Sequence, residues 1–181
     1  MNTKLNAMMK ANSTKLMLAV LLTLSFGVAH AGTATATLGV SATVTANCTI
    51  TTTPVGFGSY DPVSGATDYT AQGTVVVACT KNSTGLSVGI DNGANYASTT
   101  RNMLGAARAD KLAYSVVQPT TGTTCPAYGA GTAWNTTSGA LALASPTGKA
   151  ARTYGVCGQL AKGQDVSVDT YSDTVTATIN F

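Results

Sequence analysis

The chain has 181 residues, about one in six of them threonine, with 19 glycines, seven aspartates, no glutamate and one histidine. Its formal charge is +3, but Lys4, Lys10 and Lys15 sit at the leading end, and the remaining seven basic side chains balance the seven aspartates. A near-neutral chain with scattered cations and no basic stripe argues against nucleic acid as a partner. With His30 as the sole histidine, the chain beyond it has no histidine base and no Ser–His–Asp arrangement.

Residues 1–31 read as an export signal. A basic n-region precedes the apolar run Leu16 to Phe26, and Ala29-His30-Ala31 supplies a small-x-small site with cleavage between Ala31 and Gly32. The apolar run is shorter than the roughly 20 residues that span a bilayer, and no later stretch approaches that length. The processed chain is therefore expected to be exported and not inserted into a membrane.

Thr33 to Val44 alternates strictly. Ala34, Ala36, Leu38, Val40, Ala42 and Val44 interleave with Thr33, Thr35, Thr37, Gly39, Ser41 and Thr43. A period of two is a strand with one buried face. It stands where a domain normally frays, so its apolar face needs a receiver.

Cys48 to Ile50 begins a short strand that stops at Pro54. Gly56 to Gly65 is turn-rich, with Phe57 and Tyr60 as anchors. Gly73 to Thr80 (GTVVVACT) reads as a central strand buried on both faces, and Leu86, Val88 and Ile90 alternate before the turn Asp91-Asn92-Gly93. Ala94 to Ala109 reads as a loop with a small strand. Leu112 to Val117 is a strand, Thr120 to Ser138 a Gly- and Thr-rich loop holding Trp134 near Cys125, and Leu141 with Leu143 another short strand. Arg152 to Leu160 follows as a strand. Val175, Ala177, Ile179 and Phe181 then alternate with Thr174, Thr176, Thr178 and Asn180. This apolar edge lacks the charge or proline that normally blunts one.

About 150 residues beyond the signal suit one domain, and the strand-and-turn composition predicts an all-β sandwich. Four cysteines in an exported chain predict two disulfides. Three pairings can be drawn; the two sequential loops, Cys48 with Cys79 and Cys125 with Cys157, are preferred, each worth about 3 to 4 kcal/mol in the chain-entropy reading. No CxxC occurs, and neither a metal nor another cofactor is expected.

The two alternating ends suggest one device. The C-terminal strand lines a groove that lacks a neighbour, and the N-terminal segment of another copy supplies the missing strand. Burying Leu38, Val40 and Val44 yields about 1.5 to 3 kcal/mol each, and each new backbone hydrogen bond adds about 0.5 to 1.5 kcal/mol. The contact is head-to-tail, so copies extend into an open fibre.

Cys48-Thr-Ile50, Val75-Val-Val-Ala-Cys79-Thr, Tyr154-Gly-Val156 with Gly158-Gln-Leu160, and the ending Tyr171-Ser-Asp-Thr-Val175 through Phe181 together resemble the spore coat protein U domain family. That family includes subunits of archaic (Csu-type) chaperone–usher pili. The resemblance implies an incomplete immunoglobulin-like sandwich lacking its last strand. A periplasmic chaperone supplies that strand first, and the extension of the next pilin subunit replaces it at the outer-membrane usher. It also implies a signal at 1–31, a donor extension at 32–45 and a pilin domain at 46–181, forming a cell-surface fibre. Ala36, Leu38, Val40, Ala42 and Val44 would be the donor residues, and Val175, Ala177, Ile179 and Phe181 the groove wall, with Cys48 bonded to Cys79. The family often has tyrosine at the place of Cys157, which fits an added disulfide to Cys125.

Other readings compete. A secreted carbohydrate-binding sandwich would use Trp134, Tyr128, Tyr96 and Tyr60 as stacking platforms, although each reads better as a plug holding its loop against the core, and a coat protein outside any pilus could use the same strand exchange. The seven aspartates (Asp61, Asp68, Asp91, Asp110, Asp165, Asp169 and Asp173) mostly stand in turn contexts, where Asp accepts local backbone hydrogen bonds. Neither a paired-carboxylate glycosidase nor an EF-hand is indicated, so no catalytic residue is expected.

Overall fold

Nine strands form among the described residues, 31–181, of a computed structural model, and the alternating run 33–44 is not among them. The export-signal reading of residues 1–30 lies outside them. Residues 31–41 belong to one unit and residues 42–181 to another, and each is described by itself. In the first, every residue is exposed and none is in a strand, although six alternate positions of 33–44 are apolar.

The second unit has two sheets. The larger has the order β1 (Cys48–Thr53), β2 (Tyr69–Cys79), β7 (Arg152–Leu160), β5 (Lys111–Val117), β4 (Arg101–Gly105) and β8 (Tyr171–Ser172). The smaller has the order β6 (Leu141–Ala142), β3 (Ser87–Ile90) and β9 (Ala177–Asn180). Every pairing is antiparallel. The inner faces bury Val75, Val77, Val88, Ile90, Val116 and Val156 into one core. This is an all-β sandwich of immunoglobulin-like form with no helix among the described residues.

Most expected strands are present, with two differences. β2 begins at Tyr69 and is buried on one face only: Val75, Val77 and Cys79 are buried, while Thr74, Val76 and Ala78 are half-buried. The second sheet covers one side alone, so the continuous apolar run overstated its burial. β8 was not anticipated, because a two-residue strand carries no alternation. The Asp91-Asn92-Gly93 turn, with Gly93 at φ +85°, begins a loop that leads from one sheet to the other.

Both disulfides join the preferred partners, Cys48 to Cys79 and Cys125 to Cys157. The first links register partners of β1 and β2. The second ties the long β5–β6 connection to β7. Gln159, buried on β7, holds the same connection: its amide nitrogen donates to Ala127 O and Ala130 O, and its oxygen accepts from Gly129 N. Trp134, expected in that loop, is fully buried and donates Nε1–H to Val88 O at 2.7 Å. Phe57 and Tyr60 anchor the 54–68 loop as expected. Phe57 packs edge-on to Tyr114, and the Tyr60 hydroxyl donates to Ala161 O and accepts from Gln164 N. Gly158 makes room for Phe57, since a Cβ there would lie 2.8 Å from its ring.

The register sorts the loops into two poles. Residues 54–68, 91–100, 106–110 and 161–170 leave one end of the sandwich, where Tyr69 pairs with Leu160. Residues 80–86 and 143–151 leave the other, where Cys48 pairs with Cys79. The chain enters the sandwich at this second pole, with Asn47 O accepting from Thr80 N and Asn47 N donating to Thr80 Oγ1.

Candidate functional site

β1 hydrogen-bonds to β2 on one side only, and β9 to β3 on one side only. The two strands lie side by side on opposite sheets without pairing. Between them the sandwich has a seam bounded by two unpaired backbone edges. Such an edge is a template for a further strand.

The antiparallel alternation shows which groups are free. Asp91 N donates to Thr176 O, so this pair is hydrogen-bonded. In the continuing register Ile90 with Ala177 and Val88 with Ile179 are the non-bonded pairs. The N–H and C=O groups of Ala177 and Ile179 therefore face the seam, while those of Thr178 and Asn180 face β3.

Of the expected groove wall, Val175, Ala177 and Ile179 are half-buried against the core on one face of the segment. Phe181 is 56% exposed and does not share that packing. At one end the seam opens into a cleft of about 360 Å³, with core residues Ile90, Val116 and Val156 among its walls. Thr52 to Val55 border it from the β1 side, and Tyr171 to Val175 from the β9 side. An apolar gap reaching core residues is a place where alternate side chains of an added strand can pack.

The segment leading into β9 is fixed by a polar cluster that sequence reasoning missed. Asp173 Oδ2 accepts the Tyr114 hydroxyl at 2.6 Å, and Asp173 Oδ1 accepts from Asn95 N and Nδ2. Asp91 Oδ1 accepts from Gly93 N and Thr176 N. Buried Arg101 donates to the backbone oxygens of Ile90, Asp91 and Trp134. Burial and the Asp173 carboxylate push the Tyr114 hydroxyl well above the usual phenol range. Burial also works against the Asp91 charge, but the Thr176 and Gly93 hydrogen bonds and nearby Arg101 outweigh it and hold that carboxyl below its usual value. The only hint in the sequence was two aspartates in turn contexts, 82 positions apart.

Expected donor positions Leu38, Val40 and Val44 are 87%, 88% and 81% exposed, and Ala36 and Ala42 are exposed too. Three large apolar side chains in twelve uncharged residues have no burial of their own. The sugar-stacking set is not assembled: Trp134 is inside the core, Tyr60 uses its hydroxyl internally, and Tyr96 and Tyr128 lie in different loops.

The family model of the Spore Coat Protein U domain matches residues 34–178. Protein U of Myxococcus xanthus is 34% identical over 174 residues, covering 87% of this chain and 90% of that protein. Among solved structures, the chain is similar to a chain in the crystal structure of the CsuC–CsuE chaperone–tip adhesion subunit pre-assembly complex, from archaic chaperone–usher Csu pili of Acinetobacter baumannii. The TM-score is 0.54 at 22% identity, over 77% of this chain. The match spans 41% of that solved chain, so the likeness is one of fold.

Proposed function

Because the chain belongs to the Spore Coat Protein U domain family, we propose that it is a structural subunit of a secreted chaperone–usher fibre, joined by strand exchange. Residues 32–45 of one copy enter the seam between β1 and β9 of the next, and residues 46–181 form the receiving domain. Leu38, Val40 and Val44, with Ala36 and Ala42, face inward along the gap beside Val175, Ala177 and Ile179. The backbone of Ala177 and Ile179 pairs with the entering strand. Phe181 extends the wall at its exposed end.

The observation that carries this reading is the pairing of two defects within one sequence. One element exposes alternate apolar residues without a sheet, and one sheet edge leaves its backbone unpaired beside the half-buried Val175, Ala177 and Ile179. A chaperone strand occupies the seam during export and an usher exchanges it for the next subunit, giving a surface fibre that serves adhesion and biofilm formation. The solved complex of a chaperone with a pilus tip subunit supports that partner class. The work is structural, not catalytic.

Deleting residues 32–44 tests the reading. The truncated chain should still bind a chaperone of the Csu class but form no polymer by sedimentation or electron microscopy. Fibres from the truncated chain would mean that another surface makes the joint.

A further inference from the structure

The charged side chains are not distributed evenly along the sandwich. All seven aspartates lie in or beside the loops of the pole where Tyr69 pairs with Leu160, with Arg101, Arg108, Lys111 and Lys162, a formal balance of −3. The opposite pole holds Lys81, Lys149 and Arg152 and no acidic side chain, a formal +3. Lys81 and Lys149 are exposed. Arg152 Nη1 donates to Ala144 O, and the other guanidinium nitrogens have no acceptor and no acidic partner among the described residues. Between the poles, residues 112–148 carry no charge, and neither do residues 31–60.

The extension joins the sandwich at the basic pole, where Asn47 is bonded to Thr80. Val44, the last donor position, is three residues before Asn47, a reach of about 10 Å. Whichever end of the groove Val44 occupies in the receiving copy, the donor's basic pole must lie against it. β9 runs from the acidic pole toward the basic one, since Ala177 pairs with Ile90 and Asn180 with Ser87. A donor strand antiparallel to β9 ends at the acidic pole and sets +3 against −3. A parallel donor ends at the basic pole and sets +3 against +3.

We propose that the basic pole of each copy docks on the acidic pole of the copy that receives its strand, and that this second contact steers assembly. The inference rests on the strand-exchange reading. Its partner is a second copy of this chain, and its contribution is to association rate and direction more than to final affinity.

The test compares two variants with the same change in net charge. Lys81→Glu with Lys149→Glu takes the basic pole to −1, and Arg108→Glu with Lys111→Glu takes the acidic pole to −7. Polymerisation of chain 32–181, followed by light scattering after dilution from denaturant with disulfides intact, should slow with added salt for the parent. At low salt the first variant should be about tenfold slower than the parent, and the second faster. Added salt should accelerate the first variant. All curves should converge near 1 M salt, where screening reaches about 3 Å. Lys81→Gln with Lys149→Gln, which removes charge without adding any, should fall between parent and first variant. Equal shifts in both reversal variants, no shift in either, or faster assembly of the first would overturn the proposal. The same chains lacking residues 32–44 separate the two claims: polymers from them would sink the strand-exchange reading itself. Polymers that need the extension but ignore pole charge would sink only this inference.

Discussion

Trp134 shows how one side chain can decide between functions. Its indole is fully buried and its N–H is bonded to Val88 O on β3, the central strand of the smaller sheet. Trp134→Phe should lower stability by about 1 to 3 kcal/mol in denaturant titration, because it removes the buried indole hydrogen bond to β3 and leaves a gap. Asp91 acts similarly at the entrance to β9. Its folded pKa is below the usual value, so its stabilisation is complete above the unfolded pKa and is lost as pH falls through the folded one. Unfolding midpoints measured below about pH 4 should therefore fall steeply for the parent chain and more gently for Asp91→Asn.

At the scale of elements, face and edge have separate roles in β9. Ile179 turns its side chain to the core and its backbone to the seam, while Thr178 does the reverse. Ile179→Thr puts a hydroxyl into the apolar gap and should weaken capture of a labelled peptide of residues 33–44 about tenfold or more by fluorescence anisotropy. Thr178→Val, on the outward face, should leave capture unchanged. Alternation made β9 legible in the sequence, as it did β3. The cleft was not legible, because Ile90, Val116 and Val156 meet there from three strands. Nor was the Asp173–Tyr114–Asn95 cluster, whose members are turn-like or strand-like in isolation. Trp134 was legible as a side chain holding its loop against the core, but its glycine- and threonine-rich surroundings gave no sign that it would be fully buried.

Across the whole molecule, the two disulfides stand in different relation to the seam. Cys48–Cys79 fastens β1, one of its borders, whereas Cys125–Cys157 fastens the β5–β6 connection away from it. Replacing Cys125 and Cys157 by alanine should cost about 3 to 4 kcal/mol of stability in the chain-entropy reading, while peptide capture by the folded fraction stays the same. The central claim is that the sandwich lacks a strand which its neighbour supplies. Amide hydrogen exchange at four consecutive residues measures this directly. In unassembled chains Thr178 and Asn180 should be protected while Ala177 and Ile179 exchange quickly, and in fibres all four should be slow. Slow exchange at Ala177 and Ile179 in a chain that is not assembled would contradict the account.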